Sequence, residues 1–175
     1  MSYVLLSVQL GLAGVFLVSS VAKLRALSDT VQMWADLLTA VKLPIAWARF
    51  GSWALIAAEA TIGVLLLIPG WWFPWGTWLA AALMAAFTGL ALISARTSLD
   101  IRCACFGRAT ARLGWRHVWR NLVLLLLAVV GVVLSATDVA VAVVPAGIAV
   151  AVAAAGLVTV LAAFYDDIMD LVVEI

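Results

Sequence analysis

Charge is scarce in this 175-residue chain: 11% of its residues are Asp, Glu, Lys or Arg, while 67% are hydrophobic. A soluble domain carries about a quarter charged residues and roughly half apolar ones, so the composition excludes that class. Cysteine is nearly missing, with two residues, and histidine occurs once, at His117. Structural zinc would need both cysteines, His117 and a carboxylate to converge on one ion, which makes it a poor reading. The basic residues are scattered along short connections without a recognised nucleic-acid-binding fold, so nucleic acid is not an expected partner. A basic leader is lacking too. The first apolar run also exceeds the roughly 7–15 residues of a secretory signal, so it reads as a retained transmembrane helix. Neither an internal repeat nor a composition break divides the chain, and residues 1–175 read as a single integral membrane domain.

What is present is a succession of long apolar runs. A crossing takes about 20 mostly apolar residues, and five runs meet that need at about 3–22, 46–68, 77–94, 118–134 and 139–164. The expected fold is therefore all-α: a polytopic membrane helix bundle with the lipid bilayer as its surroundings. Between the first two runs, 28–41 alternates differently. Val31, Trp34, Leu37, Leu38 and Val41 fall on one helical face, with Gln32, Asp36 and Thr39 opposite. That pattern predicts a short interfacial helix, capped by Ser28 or Asp29 and ended by Lys42-Leu43-Pro44. Small residues recur four apart at Ser7 and Gly11, at Ala81, Ala85 and Gly89, and at Gly147, Ala151 and Ala155, the spacing that lets helices approach closely in lipid. Pro145 is expected to kink the last run near its start, and the acidic end from Asp166 is expected at the interface. Trp71, Trp72, Trp75 and Trp78 read as a headgroup-level belt, with a stacking platform as the alternative.

Three places carry candidate chemistry. Cys103 and Cys105, the two cysteines, lie in the loop 96–116 among five arginines and no lysine. Thiols at that spacing can close a small disulfide or share one soft metal ion, since the thiolate is both nucleophile and ligand. Arg102 and Arg108 favour thiolate if they lie close by, and Gly107 allows a sharp turn. Two juxtamembrane cysteines without function are the bland alternative. Glu59 is the second place. A carboxyl at mid-helix is costly in lipid, by about 2.5–3.5 kcal/mol on insertion scales, so it is expected to face the bundle or a cavity and to stay protonated unless a cation such as Lys23 comes near. The alternative is a packing hydrogen bond. Third, Asn121 needs a partner one turn inside the fourth run, whereas His117 reads as a solvated or lipid-facing interface residue.

Lys23, Arg25, Lys42 and Arg49 fall on the same side of five crossings as Arg96, Arg102, Arg108, Arg112, Arg116 and Arg120. The positive-inside rule then puts the amino terminus outside a cell membrane and the cysteine loop and carboxyl terminus in the cytoplasm. In that reducing compartment a transient disulfide is expected rather than a structural one.

The segments Ser19-Ser20-Val21-Ala22-Lys23-Leu24-Arg25, Glu59 with Gly63 and the leucines up to Gly70, and Cys103-Ala104-Cys105-Phe106-Gly107 with Arg120-Asn121-Leu122 resemble the MauE branch of the DoxX-like membrane proteins over about residues 1–135. Ser20 stands where the family has glycine, and Ala26-Leu27 where aspartate-proline is common. The resemblance implies a four-helix core with a fifth helix added here, a task in methylamine utilisation, and support of disulfide formation alongside a thioredoxin-like partner.

The residues thus read as a membrane thiol–disulfide redox protein, with Cys103, Cys105 and Glu59 as chemical groups and Lys23, Arg102, Gly107, Arg108 and Asn121 in support. No second cysteine pair exists to complete a relay, so a partner protein or a quinone would have to supply the other redox group. Two other classes stay open: a soft-metal carrier using Cys103 and Cys105, and an accessory subunit or oligomer of a larger membrane complex.

Overall fold

In a bilayer every backbone N–H and C=O must be satisfied within the protein, and a chain of long apolar runs achieves this by forming helices. The computed structural model describes residues 3–68, 73–97, 114–136 and 144–173, with side chains at 73, 166, 167 and 169–173 left aside. Its helices are α1 (Tyr3–Arg25), α2 (Leu27–Ala40), α3 (Ala48–Leu67), α4 (Phe73–Thr97), α5 (Trp115–Ser135) and α6 (Pro145–Val173), with one 3-10 turn, Ile45–Trp47, leading into α3. Five are long and apolar enough to cross a membrane, α2 being the exception. The protein is an all-α, multi-pass membrane bundle.

Several ends differ from the sequence expectation, each for a local reason. Residue 145 opens α6 instead of kinking it, because proline has no N–H to leave unsatisfied in a first turn and its fixed φ suits that position. The helix then continues past 164 to Val173. Ser28 and Asp29 lie inside α2, which starts at Leu27 after Ala26 without a side-chain cap. Its far end is better defined. Leu43 N–H donates to the Leu38 carbonyl at 2.8 Å and Lys42 N–H to that of Thr39 at 3.1 Å, a Schellman closure that holds Lys42 at φ 59°. The buried face of α2 is Thr30, Met33 and Leu38, whereas Val41 is exposed.

The core follows from small and large residues meeting across helices. Leu5, Leu12 and Phe16 of α1 pack with Ile62 and Leu66 of α3, Ala80 and Met84 of α4, and Leu124 and Ala128 of α5. α1 is central, touching α3, α5 and α6, while α4 packs chiefly on α5. The small-residue faces of α1 and α6 meet: a Cβ on Gly11 would sit 3.5 Å from Val158, and Ala151 and Ala155 are buried. Tyr3 stacks over Gly147 and accepts a hydrogen bond from Val144 N–H at 2.7 Å. Thus α1 and α6 run parallel. The small face of α4 is divided: Ala81 packs against the core, whereas Ala85 is exposed and a Cβ on Gly89 would touch nothing. Met33 and Leu55, with Trp34 and Phe87 beside them, fix α2 against α3 and α4.

The contacts set the direction of every crossing. The end of α1, the start of α3, the end of α4, the start of α5 and the end of α6 all lie at one end of the bundle.

A buried polar cluster inside the bundle

Ser19 and Lys23 stand four residues apart on α1, so one helical face presents both. That face turns toward Glu59, twelve residues into α3 and 1% exposed. Lys23 is equally buried. Its Nζ donates to Glu59 Oε1 at 2.8 Å, to Oε2 at 2.9 Å and to Ser19 Oγ at 2.6 Å. An ammonium has three N–H donors, and three acceptor oxygens stand within hydrogen-bond reach of them. The Ser19 hydroxyl in turn donates to Glu59 Oε2 at 3.2 Å, which closes a triangle of three side chains. Ions of this kind lose several kcal/mol of solvation on burial, and close contact with full hydrogen bonding is what offsets it.

α5 brings the remaining polar residues. It begins at Trp115 rather than 118, so His117, Arg120 and Asn121 all fall within its first two turns and are 3–5% exposed. His117 is therefore a buried residue, against the expectation of a solvated or lipid-facing one. Arg120 and Asn121 line a chamber with Ser19, Lys23 and Glu59 whose other walls include Phe16, Met84 and Phe87. Its volume is about 20 Å³, room for one water molecule beside polar groups able to hold it.

Of the residues singled out in the sequence, the fold brings Lys23, Glu59 and Asn121 together. Cys103, Cys105, Arg102, Gly107 and Arg108 lie outside the described residues. In sequence their segment joins Thr97, at the end of α4, to Gly114, just before α5, and both of these lie on the side of the bundle where α1 ends. Ser19 and Arg120 belong to the cluster without having been read as functional. The four-residue step from Ser19 to Lys23 was the available signal for the first, and a charge one turn inside a transmembrane helix for the second. No group of three or more His, Cys, Asp or Glu suited to a metal occurs among the described residues.

A multi-pass helical membrane protein with a carboxylate, an ammonium and a guanidinium enclosed within its bundle is thereby defined. The chain belongs to the MauE family: the family model, described as methylamine utilisation protein MauE, matches residues 1–134. Comparison with curated proteins and with solved structures gives no match.

Proposed function

We propose that the chain is a membrane thiol–disulfide redox protein in which Cys103 and Cys105 cycle between dithiol and disulfide to support redox maturation of a partner, in keeping with the family's association with methylamine utilisation. The observation that carries this reading is a juxtaposition. The segment with both cysteines of the chain starts and ends on the side of the bundle where α1 ends, two residues past Lys23, the partner of Glu59. Closing a disulfide removes two electrons and two protons from two thiols. The electrons pass to the disulfide of a thioredoxin-like partner or to a quinone, and the protons need acceptors near the thiols. A carboxylate and an amine in direct contact, with room for one water, form a proton-exchanging pair of the kind that general acid–base chemistry uses. Arg102 and Arg108 would favour the thiolate where they lie close by, and Gly107 would allow a sharp turn.

Lys23 and Arg120 are buried in the bundle, while Arg25, Lys42, Arg49, Arg96 and Arg116 stand at or near the helix ends on the side where α4 ends and α5 begins. In this reading that side is cytoplasmic. Mass-shift alkylation of the purified protein across a series of redox buffers tests the function. A two-electron transition of one thiol pair is expected. Thiols that stay reduced in every buffer yet bind one equivalent of copper(I) would replace this reading with that of a soft-metal carrier.

A further inference from the structure

We propose that the groove between α5 and α6 seats the ring of an isoprenoid quinone, which accepts the two electrons of the Cys103–Cys105 dithiol. The second half of this proposal rests on the redox reading above. The two helices touch only lightly along their length, and between them lies a cavity of about 220 Å³. That is below the roughly 300 Å³ at which pockets for drug-sized ligands begin, and it suits one planar ring whose tail remains in lipid. Leu127 and Ala162 are among its apolar walls, and the exposed Val123 and Leu161 form its outer rim, so it opens sideways toward the hydrocarbon. A water-soluble ligand has no route in from that side; a lipophilic one does.

The polar end of the groove decides which lipophile. Arg120 lines it, together with Trp119 and Tyr165, at the end of the bundle where the 98–113 segment joins α5. A plain acyl chain gains nothing from a guanidinium. A quinone carbonyl accepts its N–H groups, and the attraction grows as negative charge develops on the oxygens during reduction. Arg120 also lines the chamber that holds Lys23 and Glu59, so the ring oxygen would sit one residue away from a proton-exchanging pair. The chain has two cysteines, hence no internal disulfide to take the electrons. The step balances: two S–H bonds break, one S–S bond forms, and the quinone gains two electrons and two protons to become the quinol.

The test uses the full chain in lipid nanodiscs with decylubiquinone as probe. Saturable quenching of tryptophan fluorescence is expected, weakened about tenfold or more in Val123→Phe and in Leu161→Phe, which fill the groove from opposite helices at exposed positions. Thiol oxidation by decylubiquinone should fall in parallel, while oxidation by glutathione disulfide stays as in the parent. Quenching that is unsaturable, equal in the filled variants, or equally displaced by decanol overturns the quinone seat. If glutathione disulfide oxidises the pair and groove-bound decylubiquinone does not, the acceptor role falls and the redox reading stands. If neither oxidises it, the redox reading falls and the seat is judged on quenching alone.

Discussion

Removing one member of the Lys23–Glu59 pair should destabilise the protein far more than removing both. With side-chain exposures of 1% and 2%, neither group can reach bulk water for compensation when its partner is deleted, and the chamber beside them has room for a single water. Lys23→Met leaves a carboxylate facing Ser19 and Arg120 in a chamber of about 20 Å³, and Glu59→Leu leaves an ammonium whose contacts with two carboxylate oxygens are gone. Breaking a buried pair on one side costs about 3–5 kcal/mol, whereas replacing both partners by apolar residues of similar volume is often neutral or stabilising. The double variant, Lys23→Met with Glu59→Leu, is therefore expected within about 1 kcal/mol of the parent or above it. Reversible unfolding in mixed micelles, followed by circular dichroism as the denaturing detergent is increased, gives all four corners of the cycle. An exposed pair couples by only about 0.2–1 kcal/mol. Single losses of that size that simply add in the double variant would show a wet chamber and sink the argument from burial. Thiol cycling in the double variant separates the roles: a stable protein that has lost cycling marks a functional pair, and one that cycles at the parent rate marks a packing device.

Lys42→Gly should raise stability by about 1 kcal/mol in the same titration, because residue 42 holds a positive φ of 59° that glycine adopts without strain. Gly147→Leu should lose about 1–3 kcal/mol, since its Cβ would overlap the Tyr3 ring, while Gly89→Leu should change stability by no more than about 0.5 kcal/mol because nothing lies near it. Cys103→Ser and Cys105→Ser should each abolish thiol cycling as fully as the double replacement, as groups that act as a unit do, measured by the alkylation assay.

The bundle was legible because apolar length is a global property that no single residue overrides. Five runs long enough to cross produced five crossing helices. Their ends were less legible, since one proline or one backbone hydrogen bond decides them: residue 145 starts a helix that composition alone would begin several residues earlier. The cluster was half visible. Glu59 announced itself by the cost of a carboxyl in lipid, and Lys23 was named as the cation that could answer it. His117 was misplaced because it stands near a connection in sequence, where a polar side chain usually means solvent, and Arg120 was counted with the basic flanks without a role. Only the start of α5 at Trp115 carries them inside. A helical step of 3.6 residues then aligns His117, Arg120, Asn121 and Leu124 on one buried face. The outward part of the small-residue face of α4 could not be told from the packed faces of α1 and α6, because four-residue spacing says that a close approach is possible without saying which helix makes it.

The family match ends at 134, in the last turn of α5, and the polar cluster lies entirely within it: Ser19 and Lys23 on α1, Glu59 on α3, Arg120 and Asn121 on α5. Among its described side chains, α6 adds nothing polar to that chamber. What it adds is a wall. Packed on α1 through Gly11, Ala151 and Ala155, it leaves the face of α5 from Trp119 to Leu127 only partly covered and creates the groove there. The proton-handling part and the groove are thus separable by substitution, for Leu161 touches one and Ser19 the other, while Arg120 touches both. A variant of Arg120 should accordingly disturb quinone quenching and the Lys23–Glu59 coupling together, which changes at Leu161 or at Ser19 do one at a time.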